Sequence, residues 1–229
     1  MVLAAWRLSS GPISLAFLSP YIENALSREH GAFRVRLDDT ILTWAGWERT
    51  LDIRVINVRA LGPDGEIIAK VPELALSLSA RGLLSGKLAP KSIDLFRPSL
   101  KLVRHPKGNF EIGFNDAEGT SDRLIRNLFE SLGEPPDTDR AMSYLRRFSI
   151  IDADLTYVDL VQKVTWSAPL VQVKLWRDRD GLQGEAVLDI DVEEKTAQVI
   201  LIGGYRAAKK KMSVDIGFSE TISYRQYRF

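Results

Sequence analysis

Apolar residues recur at every second position between Val71 and Phe114. Leu74, Leu76 and Leu78, then Ile93 and Leu95, Leu100 and Leu102, and finally Phe110, Ile112 and Phe114 alternate with small or polar neighbours. Period two puts these side chains on one face of successive β-strands. Arg81-Gly82 and Ser85-Gly86 close the first run, Arg97-Pro98 breaks the second, and His105-Pro106-Lys107-Gly108 precedes the third. Such breakers predict short strands joined as a meander. Upstream, Phe33, Val35 and Leu37 predict a strand and Asp38-Asp39 a turn. Ile41 and Thr43, or Leu42 and Trp44, predict the next strand, and Leu51, Ile53 and Val55 another. The phase then slips to Ile56, Val58 and Ala60, which predicts a bulge or a strand buried on both faces. Pro63-Asp64-Gly65 has the chemistry of a hairpin turn, proline fixing one φ and glycine allowing a positive one.

A second meander is expected from Phe148 onward, with strands at Phe148 to Asp159, Val164 to Trp166, Val171 to Trp176, Leu182 to Val192, Ala197 to Ile202 and Met212 to Phe218. Leu188 and Ile190 alternate with Asp189 and Asp191, and Val214 and Ile216 with Ser213 and Asp215, so one face is wet and the other apolar. Two stretches have helical spacing instead. Ser19 precedes Pro20 as an N-cap, Pro12 suits the first turn of an earlier helix, and Phe17, Leu18, Tyr21, Ile22 and Leu26 form one stripe. Leu124, Ile125, Leu128, Phe129 and Leu132 form another, ended by Gly133-Glu134-Pro135-Pro136, and Asp139 to Arg147 a further helical piece with Met142 and Leu145 on its apolar side. The expected organisation is one elongated domain over 1–229: a helical cap at 11–30, a first β-meander at 31–115, a helical insertion at 116–147 on the rim of the sheet, and a second β-meander at 148–229. Lys101-Leu102-Val103-Arg104 with Gly108 is echoed by Lys174-Leu175-Trp176-Arg177 with Gly181, and Ser92-Ile93-Asp94-Leu95 by Ser149 to Leu155. A repeated unit that extends the sheet would produce this echo, and so would generic hairpin design.

Composition narrows the chemistry. The 229 residues are 45% hydrophobic and 27% charged, enough to bury a core, and the formal net charge of +1 supplies no field that would draw nucleic acid. There are no cysteines and two histidines, His30 and His105, so thiol chemistry is excluded and no metal site is expected. Asp38-Asp39, Asp152 with Asp154, and Glu185 with Asp189 and Asp191 read as solvated strand and turn positions rather than acid–base pairs, and no nucleophile elbow, phosphate loop or dinucleotide fingerprint is present. No catalytic residue and no cofactor is therefore expected. Lys209-Lys210-Lys211 reads as a charged turn that guards strand edges, or as a contact for anionic headgroups. Val2-Leu3-Ala4-Ala5-Trp6-Arg7 reads as the trailing edge of a membrane anchor or as a start that packs Trp6 on the domain, and the final Tyr224 to Phe229 carry no stop signal, as in a chain that continues.

Together these stretches resemble the AsmA-like proteins of diderm bacteria, especially the YhdP-type members related to TamB. The likeness lies in Gly11-Pro12-Ile13 through Pro20-Tyr21-Ile22-Glu23-Asn24-Ala25-Leu26, Val35-Arg36-Leu37, Leu42-Thr43-Trp44, and Ile68-Ala69-Lys70-Val71-Pro72-Glu73-Leu74. It continues in Leu83-Leu84-Ser85-Gly86, Arg97-Pro98-Ser99-Leu100-Lys101-Leu102, Ile151-Asp152-Ala153-Asp154-Leu155, Trp166-Ser167-Ala168-Pro169 and Gly181-Leu182-Gln183-Gly184. The resemblance implies a mainly β fold with a few helices, its antiparallel meander curled into an elongated open groove of the chorein type. It also implies the N-terminal periplasmic region of an inner-membrane-anchored, non-enzymatic protein that moves glycerophospholipids toward the outer membrane. Phospholipid acyl chains would then be the partner. Candidate groove residues are Leu74, Leu76, Leu78, Ile93, Leu95, Leu100, Leu102, Phe110, Ile112, Leu188, Ile190, Val199, Leu201, Val214 and Ile216. The competing expectation is a structural module of the cell envelope whose sheet closes on its own core and binds a protein partner.

Overall fold

The computed structural model describes residues 13–14, 19–20, 23, 34–43, 52–79, 82, 86, 89–115, 117, 132, 141–178, 181–192, 195–206 and 211–221. They build one mainly β, thirteen-stranded sheet. The strands are β1 (Ile13–Ser14), β2 (Arg34–Arg36), β3 (Asp39–Thr43), β4 (Asp52–Leu61), β5 (Ile67–Leu78), β6 (Pro90–Phe96) and β7 (Ser99–Arg104). They continue with β8 (Phe110–Phe114), β9 (Arg147–Asp159), β10 (Val164–Arg177), β11 (Leu182–Val192), β12 (Lys195–Arg206) and β13 (Lys211–Thr221). The main order is β1-β3-β4-β5-β6-β9-β10-β11-β12-β13, with β2 beside β4 and β8 beside β7.

Two expectations change here. The sheet is mixed rather than an antiparallel meander, because β6 and β7 both run parallel to β9, and it is open and uncurled rather than curled into an elongated open groove. A hairpin turn can only reverse a chain, whereas a parallel neighbour needs a long return, which residues 115–146 provide between β8 and β9. The echo also reads differently in space. Its two Lys-Leu-x-Arg strands, β7 and β10, flank β9 on opposite sides and run in opposite directions, so they are not successive copies of one unit.

A crease crosses five adjacent strand positions. Buried residues step by two along each strand and then by three: Ile53, Val55, then Val58, Ala60 in β4; Leu76, Leu74, then Val71, Ala69 in β5; Ile93, Leu95, then Pro98, Leu100 across β6 and β7. The same step separates Phe148 and the half-buried Ile150 from Ala153 and Leu155 in β9, and Val171 from Ala168 in β10. An odd step would turn the apolar side chains to the wrong face unless the backbone absorbs a residue. Asn57, Arg97 and Asp152 do so with φ of 52°, 51° and 54°. Asn57 lies opposite Pro72, between the pairs Ile56↔Glu73 and Val58↔Val71, and β10 shifts register between Ala168 and Val171, around Pro169. The phase slip at Ile56 is thus a local left-handed residue within an unbroken strand. Across the Arg97-Pro98 break, β6 and β7 keep one register along β9, held by Arg97 N–H to the Ile151 carbonyl at 2.9 Å and Asp154 N–H to the Pro98 carbonyl at 3.1 Å.

The main core lies on one side of the crease, where Ile53, Val55, Leu74, Leu76, Ile93, Leu95 and Phe148 meet Leu132 and Leu145, both with no exposed surface. Leu132 is a helical residue and Leu145 follows the 3-10 turn Ala141–Tyr144. Arg177, at the end of β10, ties them down by donating from Nε to the Leu132 carbonyl at 2.7 Å and from Nη1 to the Ser143 carbonyl at 3.2 Å. So the described part of the predicted insertion enters the core rather than resting on the rim. Beyond the crease a second cluster gathers Leu100, Ala153, Leu155, Ala168 and Val171, and a third Ala60, Ile68 and Ala69; Phe114 packs against all three.

At the chain start the outcome is mixed. The helix expected behind Pro12 gives way to strand β1, whose Ile13 and Ser14 pair with Leu42 and Ile41 and so occupy the free edge of β3. Ser19, Pro20 and Glu23 are helical, and they are tied to the sheet through Ser19 Oγ to Thr40 Oγ1 at 2.9 Å and the Leu37 N–H to Glu23 Oε1 at 3.1 Å. Phe17, Leu18, Tyr21, Ile22 and Leu26, the expected cap stripe, lie outside the described residues, as do Leu124, Ile125, Leu128 and Phe129.

The crease makes a direct prediction. The Asp152 side chain is exposed, so its substitution tests backbone conformation alone. Asp152→Val should cost about 1–3 kcal/mol, since a β-branched residue resists positive φ, while Asp152→Gly should match or exceed wild type. Urea unfolding midpoints check this; equal midpoints for the two variants would remove the crease as a source of conformational selection.

Candidate functional site

Strands β10 to β13 form a plain antiparallel ladder, and its registers sort the side chains onto two faces. Directly paired residues share a face, so Val171, Leu188, Val199 and Phe218 form one row. Val173, Ala186, Leu201 and Ile216 form the next, and Leu175, Gly184, Gly203 and Val214 the third. Every member is apolar. The opposite face is mixed: Gln172, Lys174, Glu185, Asp189, Gln198 and Asp215, with Gln198 Nε2 donating to Asp189 Oδ1 at 2.8 Å, share it with Val187, Ile200 and the exposed Leu170 and Ile202.

Cover over the apolar face fades along the ladder. Val171 is 3% exposed, Leu188 and Ile190 pack partly against the second cluster, Val199 and Leu201 are half-buried, and Val214, Ile216 and Phe218 are 50%, 59% and 78% exposed. Where the third row crosses the ladder, two glycines leave a notch. Gly184 pairs with Gly203, and Leu175, Leu182, Ala186, Leu201, Tyr205 and Val214 stand around them to line a shallow, open hollow of about 240 Å³. A Cβ on Gly184 would come within 2.8 Å of Leu175 Cδ2, whereas one on Gly203 would meet nothing nearer than the Ser213 carbonyl at 3.4 Å. The hollow therefore owes its depth to missing side chains.

The candidates read from sequence fall into two groups. Leu74, Leu76, Ile93 and Leu95 are buried in the main core, with Leu78 packed on its margin; Leu100 is buried in the second cluster and Leu102 half-buried beside it. Leu188, Ile190, Val199, Leu201, Val214 and Ile216 share the open face, Ile112 is half-buried on β8, and Phe110 is exposed at its start. Alternation identifies apolar positions but not which ones acquire a cover. Phe218, Tyr205 and the Gly184–Gly203 pair belong to this face without having been candidates, and their signal was present: each occupies an inward position of its strand's alternation.

The opposite end of the apolar face closes on a polar knot. Asp159, 2% exposed, accepts from Arg104 Nη1 at 3.1 Å, Tyr157 Oη at 3.1 Å, Val161 N–H at 2.8 Å and Gln162 N–H at 2.9 Å. Tyr157 also stacks on Trp166 with ring centroids 4.7 Å apart. The Gln162 N–H, then the Val161 N–H, the Tyr157 O–H and the Arg104 guanidinium, hold the Asp159 carboxyl below the usual carboxylate range despite its burial, which works in the opposite direction. Burial and the bond to Asp159 raise the Tyr157 phenol above its ordinary value. Every group in the knot is thereby engaged in fixing the β9–β10 turn against β7. Asp189 and Asp152 stand apart from it, and among the described residues no three His, Asp or Glu side chains converge as metal ligands. No helix among them is long and apolar enough to cross a membrane.

Comparison with protein-family models, with curated proteins and with solved structures finds no match for this chain.

The knot predicts a pH-dependent stability. The folded Asp159 value lies below the ordinary one of about 3.9. Its stabilisation is therefore complete above that pH and is lost as pH falls through the depressed folded value. Asp159→Asn should lower the thermal midpoint at neutral pH, and the gap to wild type should narrow as the pH falls below the ordinary carboxylate range. Thermal unfolding of both proteins across this range checks it; a gap independent of pH would mean that charge plays no part.

Proposed function

We propose that this chain supplies a lipid-binding segment in which the open apolar face of β10–β13 receives phospholipid acyl chains. The reading extends to the AsmA-like, YhdP-type setting on the strength of the sequence resemblance: a periplasmic protein tethered to the inner membrane that passes glycerophospholipids toward the outer membrane. The observation that carries it is the continuous apolar face, covered at Val171 and bare at Phe218, with a hollow two rows along the strands whose floor is the Gly184–Gly203 pair. An acyl chain asks only for continuous apolar surface, about 0.8 kcal/mol favouring burial of each methylene, and needs no hydrogen-bond partner. The site is confined to this half of the sheet. Leu74, Leu76, Ile93 and Leu95 already spend their apolar surface on Leu132, Leu145 and Phe148.

That closed half favours a second reading for its own part of the chain, a structural module of the envelope that positions the open half. Neither reading asks the chain to carry out a reaction.

The reading is tested by native mass spectrometry of the purified protein and by uptake of a fluorescent fatty acid. Bound phospholipid and saturable uptake are expected. Gly203→Leu has room for its first carbon and fills the hollow, excluding about two methylenes, which should weaken uptake by about tenfold. Ile216→Asp should weaken it at least as much, whereas Leu76→Val, within the closed core, should leave it unchanged. Absence of lipid together with absence of uptake would sink the reading, as would uptake indifferent to Gly203→Leu.

A further inference from the structure

We propose that the two hairpin tips at the Asp159 end of the sheet form a docking surface for an anionic lipid bilayer. Arg104 joins the tips: it pairs with Phe110 on one side and with Asp159 on the other, and its carbonyl accepts the Leu160 N–H at 3.0 Å. The β7–β8 turn and the β9–β10 turn therefore lie side by side, about 10 Å apart at the spacing of sheet strands. Turns in water are usually polar. These carry Phe110, Leu160, Val161 and Val164 at 61%, 45%, 50% and 44% exposed.

Their charge is as informative as their grease. The carboxylates of this end are engaged, Asp159 by Arg104 and Glu111 by His105 at 2.8 Å, while the exposed Lys107 and Lys163 make no ion pair among the described residues. With Arg104 set against Asp159 and Glu111 counted as a full negative charge, Lys107 and Lys163 still leave the tips net positive. Apolar side chains flanked by lysines suit the headgroup boundary of an anionic bilayer, where the apolar groups enter and the ammonium groups reach phosphates. The arrangement is also set in advance, since Asp159 fixes the N–H groups of Val161 and Gln162. Docking in this way stands the strands on end. By their registers Phe110 and Val164 lie on the same face as Leu102 and Trp166, so the apolar face would begin at the bilayer itself. The surface does not depend on acyl binding at the hollow.

The test is flotation of the purified protein with vesicles of phosphatidylglycerol and phosphatidylethanolamine, against vesicles of phosphatidylcholine. The protein should float with the anionic vesicles and several-fold less with the neutral ones. The triple variant Phe110→Ser, Leu160→Ser, Val161→Ser changes only exposed side chains and should lose about tenfold or more, and Lys107→Glu with Lys163→Glu should fall to the neutral-vesicle level. Because the chain has no cysteine, Leu160→Cys takes a single environment-sensitive dye, whose blue shift on anionic vesicles reports tip insertion without relying on the serine variants. Protein left at the bottom of the gradient, a dye that does not shift, or a triple variant that floats as wild type overturns the proposal, and equal flotation on both vesicle types overturns its anionic specificity. Fatty-acid uptake is measured in parallel: tip variants that stop floating but still take up probe separate this surface from the hollow.

Discussion

The parallel seam between β9 and the β6–β7 line is the constraint on which the rest of the sheet depends. It is the one parallel pairing among the described strands, and local reversal of the chain cannot form it, because the parallel partner arrives only after β7, β8 and the return through residue 146. Once formed, it sets three things. It aligns β6 and β7 on one register despite the break at Arg97-Pro98, it brings Leu132 and Leu145 over the Leu74 and Leu95 side, and it leaves β10 free to start a ladder of hairpins on the other side. Closing such a long loop costs entropy before any contact repays it. Phe148, Ala153 and Leu155 on β9 itself are buried where that cost is met.

The crease is the geometric consequence of keeping one apolar face through a long sheet. A strand that bends or twists to follow its neighbour drifts out of phase, and an extra residue in a left-handed conformation restores the phase at modest conformational cost. Asn and Asp accept that conformation more readily than most residues, which suits Asn57 and Asp152; Arg97 is held there by the bonds on both sides of Pro98. Because the correction falls at the same level in β4, β6–β7, β9 and β10, the core on one side and the second cluster on the other stay on one surface, and Phe114 can bridge them.

Much of this was legible in the residues. Alternation located most strands to within a few positions, and the slip after Val55 marked the crease on β4. The neighbour of each strand was not legible, since period two says which face a side chain takes and is silent on what lies beside it. That is why Ser92 to Leu95 and Ser149 to Leu155 read as an echo when they are the two sides of the parallel seam. The candidate site was legible as a set of apolar positions and illegible as a site, because Leu76 and Ile216 have the same pattern in sequence and opposite surroundings in space. Gly184 and Gly203 lie on different strands, and only their cross-strand pairing makes them a notch.

The open face and the closed core follow from one difference in connectivity. In the half built around the seam, the long return carries Leu132 and Leu145 back over the sheet, and the apolar surface is consumed. In the β10–β13 half, each strand follows the last through a short reversal, so the described chain between them is too brief to fold back as a cover. Among the described residues, such a face is open to a protein or to a small apolar ligand. A protein would be expected to find polar anchors along the rim, since the fully desolvated centre of an interface is usually bounded by hydrogen bonds. Here the three rows from Val171 to Val214 offer none, and the polar side chains of the same strands, Glu185, Asp189 and Asp215, point to the other surface. In the lipid-binding reading proposed above, a surface that is continuous, apolar, notched by two glycines and without directional partners suits a flexible hydrocarbon, which gains from burial without requiring register.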